Sequence, residues 1–167
     1  MYARLNRPDD VLRVYELTKS LDIKCSVVTF GVLIKALIKS NKKQLESTAY
    51  EILTSLPSMG ITPGIEIYNQ FLEHYANTDN YKQSKRILSL MAESKPKVKP
   101  NQLSYGYLIT CYSNAKKPRS ALAIYHQMKK ARIEVNGYVY MGVLKSLALM
   151  RDGMSAVQVY LSLKAFF

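Results

Sequence analysis

Between Tyr81 and Arg132 the chain carries twelve basic side chains against one acid, Glu93. The bases are Lys82, Lys85, Arg86, Lys95, Lys97, Lys99, Lys116, Lys117, Arg119, Lys129, Lys130 and Arg132, so this stretch holds +11 of the formal +12 of the whole chain. Repulsion among that many uncompensated cations is relieved by a polyanion, and neutralising phosphate is the chemistry these residue types can do. Covalent chemistry has no comparable support. His74 and His126 sit on different segments, with no Ser/His/Asp grouping, paired carboxylates or phosphate loop beside them, and read as satisfied or solvent-facing imidazoles. Cys25 and Cys111 lie 86 residues apart without a CxxC or a Cys/His cluster, and read as buried, reduced thiols. No catalytic residue, metal ligand, cofactor or small-molecule substrate is expected, and the chain is not expected to be an enzyme.

The elements that must position these charges are helical. Phe30, Tyr68, Tyr105 and Tyr140 recur at intervals of 38, 37 and 35 residues. Each is followed three and four positions later by an apolar pair: Leu33-Ile34, Phe71-Leu72, Leu108-Ile109 and Val143-Leu144. A second set, Val11/Val14/Tyr15, Ala49/Ile52/Leu53/Leu56, Ser84/Ile87/Leu88/Met91, Ala121/Ile124/Tyr125/Met128 and Ala156/Val159/Tyr160/Leu163, marks one face of a following helix. A hairpin that returns at this period cannot bury its stripe alone and stacks on its neighbours. Pro118 suits the first turn of a helix, while Pro63 and Pro100 stand where helices stop. Hydrophobic residues make up 48% of the chain, yet no apolar run reaches the ~18 residues of a membrane span. Met1 to Pro8 lack the apolar core of a secretory signal and are too short for a transit peptide.

On these marks the sequence resembles the pentatricopeptide-repeat family. The resemblance rests on Val27-Val28-Thr29-Phe30 with Gly60-Ile61-Thr62-Pro63, on Ile67-Tyr68-Asn69 with Val98-Lys99-Pro100-Asn101, and on Ser104-Tyr105-Gly106 with Ala121 to Met128. The tetratricopeptide alternative lacks its marks, since the chain has no Trp. The expected fold is all-α, a right-handed α-α superhelix of about four and a half hairpins. Its expected divisions are a partial repeat 1–26, repeats 27–64, 65–101 and 102–136, and an incomplete repeat 137–167, together a segment of a longer protein.

The resemblance makes RNA the expected polyanion. It implies that first helices line the base-reading surface, yet here they are almost neutral, with Lys35 and Lys39, Glu66 and Glu73, no charge in the third and Lys145 in the last. The basic band lies on second helices and loops, which points to tracking of phosphates. By resemblance, the residue after the aromatic and the last residue of the repeat read a base, and the residue two before the aromatic flanks it. That implies Asn69 with Asn101 as a pyrimidine reader, flanked by Glu66. It also implies Gly31 with Gly64, flanked by Val28; Gly106 with Asn136, flanked by Leu103; and Met141, flanked by Tyr138. Asn69 and Asn136 have an alternative reading as helix or turn caps. Tyr50, Tyr81, Tyr107, Tyr112 and Tyr138 are the tyrosines least tied to the core pattern; they read first as packing residues, with stacking on bases as the alternative. The function implied is a non-catalytic component of an organellar ribonucleoprotein, such as the mitochondrial ribosome or RNA-maturation machinery, with protein partners at the solenoid ends and no membrane insertion. A sequence-selective binder of single-stranded transcripts and a protein-binding adaptor without RNA are the alternatives, and a plastid is the alternative to the mitochondrion.

Overall fold

A computed structural model of the protein describes residues 8–21, 25–40 and 42–164, and every regular element among them is helical. In order these are α1 (Pro8–Ser20), α2 (Val27–Lys39), α3 (Lys43–Ser55), α4 (Ile65–Asn77), α5 (Tyr81–Glu93), α6 (Gln102–Asn114), α7 (Pro118–Lys130), α8 (Gly137–Leu149) and α9 (Gly153–Lys164). A 3₁₀ turn, Leu56–Met59, prolongs α3. The fold is all-α, a series of helical hairpins of the α-solenoid type.

Helix starts follow the local chemistry. Ser26 Oγ accepts the Thr29 amide at 3.2 Å and opens α2. Asn101 closes a capping box on α6: its Oδ1 accepts the Ser104 amide while Ser104 Oγ accepts the Asn101 amide. Asn136 Oδ1 accepts the Val139 amide at 3.0 Å and opens α8. Asn80 and Asp152 do the same for the amides of Gln83 and Ser155. Lys42 and Lys117 stand at the N-caps of α3 and α7, where neither side chain accepts a backbone hydrogen bond.

Helix ends are more uniform. The amides of Ile61, Asn80, Lys117, Ile133 and Asp152 reach back to the carbonyls of Leu56, Tyr75, Tyr112, Met128 and Leu147, five residues earlier, at 2.9–3.1 Å. In each case the residue before that amide is left-handed: Gly60 (φ 73°), Asp79 (55°), Lys116 (55°), Arg132 (56°) and Arg151 (57°). This is the Schellman closure, which favours glycine because a Cβ crowds the left-handed conformation. Only Gly60 meets that preference.

The described residues fall into two compact units. One extends to His74 and includes Ser94–Val98; the other comprises Tyr75–Glu93 and the residues from Lys99 onward. The first buries Phe30, Ile34, Leu37, Ala49, Leu53, Leu56, Ile67 and Phe71, with Tyr15 edge-on to Phe30 at 6.0 Å. The second buries Ile87, Met91, Leu108, Ile109, Ala121, Met128, Val139 and Val143. Full burial of such side chains stabilises by ~1.5–3 kcal/mol each, before the entropy of ordering them is counted. Small residues set the helix spacing in the second unit: a Cβ on Gly142 would lie 2.8 Å from Ile109 Cγ2 and 3.6 Å from the Thr110 nitrogen. Ser84 and Ser146 are fully buried and donate to carbonyls of their own helices, at Tyr81 and Gly142, both at 2.9 Å.

Some core expectations are corrected. Val14 is 45% and Tyr160 is 55% exposed although both sit in the apolar stripe, while the side chain of Leu163 and residues Met1–Arg7 lie outside what is described. Of the two thiols, Cys111 is buried but Cys25 only partly so.

Candidate nucleic-acid interface

All twelve bases of the band are exposed, and among the described residues none has a carboxylate within 4 Å. Lys82, Lys85 and Arg86 project from α5; Lys95, Lys97 and Lys99 occupy the connection to α6; Lys116 and Lys117 form the α6–α7 turn. Arg119, Lys129 and Lys130 lie on α7, and Arg132 in the turn that closes it. Exposed cations of this kind are individually weak, and their effect is collective and screened by salt.

Two of these ammonium groups are held in place. Lys117 Nζ lies 5.7 Å from the centre of the Tyr81 ring, and Tyr81 in turn packs on Tyr112 at 5.6 Å between centroids. Lys129 Nζ lies 5.8 Å from the Tyr125 ring. Burial raises the Tyr112 and Tyr125 hydroxyls above their usual titration range.

The residues implied as base readers take up different roles. In the first unit Gly31 is buried and Val28 is 75% exposed on the same helix. A Cβ on Gly31 would meet Ile67 Cγ1 at 3.7 Å and Gln70 Nε2 at 4.0 Å, ordinary contacts. Glu66 is exposed at the start of α4, whereas Asn69, one turn on, is only 8% exposed and does not cap a helix. In the second unit Asn101 and Asn136 are both N-caps, so each spends its carbonyl oxygen on the backbone, the capping alternative in the case of Asn136.

Gly106 is covered. The ring of Tyr138, from the following hairpin, approaches to 3.1 Å from where a Gly106 Cβ would stand and packs edge-on to Tyr107 at 6.3 Å. Leu103, Tyr138 and Met141 are 52%, 49% and 69% exposed. The structure thus assembles an aromatic and apolar surface at the position where a polar reader would be needed, and such a surface can stack on any base.

The remaining polar groups are structural. His74 Nε2 lies 3.5 Å from Glu46 Oε2 in a largely buried pair, and His126 is exposed beside Tyr125, the satisfied and solvent-facing imidazoles expected. Burial pushes the Cys111 thiol up to about 11, and its Sγ donates to the Tyr75 carbonyl at 3.1 Å. Among the described residues no group of three or more His, Cys, Asp or Glu could hold a metal ion. Nor is any helix there long and apolar enough to cross a membrane.

The model of the pentacotripeptide-repeat region of PRORP matches residues 3–166. The chain belongs to the pentatricopeptide-repeat family. Pentatricopeptide repeat-containing protein At5g25630 of Arabidopsis thaliana is 26% identical over 140 residues, covering 83% of this chain and 24% of that protein. At3g53360 of the same plant, named as mitochondrial, is 25% identical over 153 residues, or 89% of this chain and 18% of that one. The chain therefore spans a quarter or less of these relatives.

Among solved structures, the pentatricopeptide-repeat domain of Arabidopsis thaliana protein-only RNase P 1, in complex with tRNA, matches with a TM-score of 0.83 at 13% identity. That match covers 99% of this chain and 85% of that one. The pentatricopeptide repeat protein PPR10, known also as a structure from maize, matches in its complex with an 18-nt psaJ RNA element with a TM-score of 0.73 at 23% identity, covering 95% and 22%.

Sequence reasoning named the basic side chains and the tyrosines but missed how they are paired. It also missed the left-handed turn residues. The signal was the repeat register itself: Asp79, Lys116 and Arg151 occupy equivalent turns 37 and 35 residues apart.

Proposed function

We propose that this chain is a non-catalytic RNA-binding segment that works within an organellar ribonucleoprotein, such as the mitochondrial ribosome or its RNA-maturation machinery. The observation that carries the reading is the band of twelve exposed bases with no acidic partner among the described residues. Two solved relatives hold RNA, tRNA in one and an 18-nt element in the other, which supports RNA as the polyanion. The naming of one relative as mitochondrial supports the compartment.

Binding is directed at the backbone more than at sequence. Gly31 and Gly106 have no side chain with which to read, Met141 offers only a thioether, and the Tyr107–Tyr138 surface stacks without discriminating. Protein partners dock on exposed apolar residues, Val14, Leu17 and Leu21 of α1 with its following turn and Met154, Val157 and Leu161 of α9, each spaced along one helical face.

A salt titration tests the reading. Affinity for single-stranded RNA should fall steeply between about 50 and 200 mM salt, with a log–log slope of about −0.7 for each phosphate neutralised. A flat response refutes it and favours the adaptor.

A further inference from the structure

The hairpin-turn edge of the second unit carries a lysine whose position helix stability does not explain. In the register of the second helices, Asn80, Lys117 and Asp152 are equivalent, each preceded by a left-handed residue and each donating its amide to the carbonyl five residues back. Asn80 and Asp152 use their side chains to accept an amide of the helix they open; Lys117 accepts nothing and adds a cation at the positive end of α7.

The side chain is nevertheless placed, since its ammonium lies 5.7 Å from the centre of the Tyr81 ring, which is braced by Tyr112 at 5.6 Å. The two tyrosines are half-buried, so the platform is part of the fold, whereas Lys117 itself is exposed. Around it, Lys82 follows Tyr81, Lys85 lies one turn along α5, Lys116 precedes Lys117 and Arg119 follows Pro118, all exposed. The one acid on these two turns, Asp79, is also exposed, and no ion pair joins it to any of these bases.

We propose that this edge is a preorganised phosphate-binding site for the RNA backbone, in which Lys117 contacts a phosphodiester and Tyr81 is the positioning residue that holds the ammonium ready. The proposal rests on the RNA reading above and sharpens it: within the band, Lys117 counts for more than one charge among twelve. An ammonium already held over an aromatic face loses less rotamer freedom on meeting a phosphate than a free lysine does. The site lies on the turn edge, apart from the Leu103, Tyr138 and Met141 surface, so the two contribute separately.

The experiment uses the full chain and a fluorescently labelled single-stranded RNA, measured over a range of salt. Lys117→Gln is expected to weaken binding by about fivefold and to make the salt slope shallower by about 0.7, while Lys85→Gln changes affinity by about twofold or less. Tyr81→Leu should reproduce most of the Lys117→Gln loss, Tyr81→Phe should restore binding because the ring is kept, and Tyr81→Leu should cost almost nothing once Lys117→Gln is present. Circular dichroism identifies any variant that loses helix; Tyr81→Phe against Lys117→Gln then carries the comparison. Equal losses at Lys117 and Lys85, or a full Tyr81→Leu loss in the Lys117→Gln background, overturn the proposal while leaving RNA binding intact. Absence of RNA binding by the unaltered chain overturns the functional reading itself. Millimolar inorganic phosphate, at constant ionic strength, should not displace RNA from the unaltered chain. Displacement that disappears in Lys117→Gln means that the site takes a free anion, and overturns the assignment to the RNA backbone.

Discussion

Replacing Lys116 and Arg132 by glycine should make the protein more stable and a poorer RNA binder at once. Both residues are left-handed, at φ 55° and 56°, where a Cβ is crowded by the backbone. Relieving that crowding gains about 1–2 kcal/mol per residue. Glycine gives back about 0.5–1 kcal/mol through the greater freedom of the unfolded chain, leaving a net gain of about 0.5 kcal/mol at each site. The backbone closure is untouched, because the bonds from Lys117 to the Tyr112 carbonyl and from Ile133 to the Met128 carbonyl involve neighbouring amides.

The double variant should therefore gain about 1 kcal/mol, or ~2–4 °C in the midpoint of thermal unfolding for a chain of this length. If both cations touch phosphate, the same variant should bind RNA with a salt slope shallower by about 1.4. Two controls bracket the result. Gly60→Ala, at φ 73°, should lose about 1 kcal/mol, and Asp79→Gly should gain stability without weakening RNA binding. Differential scanning fluorimetry beside the salt titration reads both quantities. An unchanged or lower midpoint would show that no strain is held at these turns, and an unchanged slope would remove them from the interface.

Six further outcomes are expected. Charge reversal of Lys82, Lys85 and Arg86 should weaken RNA binding more than reversal of Lys35 and Lys39, with helical content by circular dichroism unchanged in both; the opposite order would return binding to the first-helix face. Asn69→Ala with Asn101→Ala should relax at most one pyrimidine preference in a randomised-RNA selection. Asn101→Ala alone should cost about 1 kcal/mol in thermal unfolding as the capping box opens, and Asn101→Asp should restore it. Gly142→Leu should destabilise by about 1–3 kcal/mol in denaturant titration, since its Cβ already falls 2.8 Å from Ile109 Cγ2. The folded Cys111 thiol titrates near 11, above its unfolded value, so its contribution to stability is complete below the unfolded value and lost as pH rises through about 11. Alkaline unfolding should therefore be shallower in Cys111→Ala, and a thiol reagent at neutral pH should label the part-exposed Cys25 first.

The helices were legible because their marks are apolar and periodic. Phe30, Tyr68 and Tyr140 are 2%, 3% and 4% exposed, and the alternation of first and second helices follows from the two stripes. Periodicity shows which face of a helix is apolar and not what covers it, which is why Tyr160 reads like Tyr125 yet is 55% exposed where Tyr125 is 7%. The turns were hidden for a different reason. Glycine is the usual sign of a left-handed closure, and Asp79, Lys116, Arg132 and Arg151 carry no such sign. The basic band was plain from composition, but the pairing of Lys117 with Tyr81 depends on two hairpins meeting across 36 positions of sequence, which no local pattern records. The same is true of Tyr138 over Gly106.

Gly31 and Gly106, the two glycines that the family resemblance places at reading positions, leave different evolutionary prospects open. At Gly31 an added Cβ would meet its neighbours only at 3.7 and 4.0 Å, so a small polar residue such as serine is sterically admissible and a single substitution there starts a path toward base selectivity. At Gly106 the ring of Tyr138 lies 3.1 Å from that position, so any added side chain must first displace the ring by a few tenths of an ångström, which disturbs the aromatic surface before a polar side chain is gained. On the proposed RNA reading, a lineage of such chains drifting toward sequence recognition would acquire it first in the hairpin of Gly31, while the hairpin of Gly106 keeps its aromatic surface.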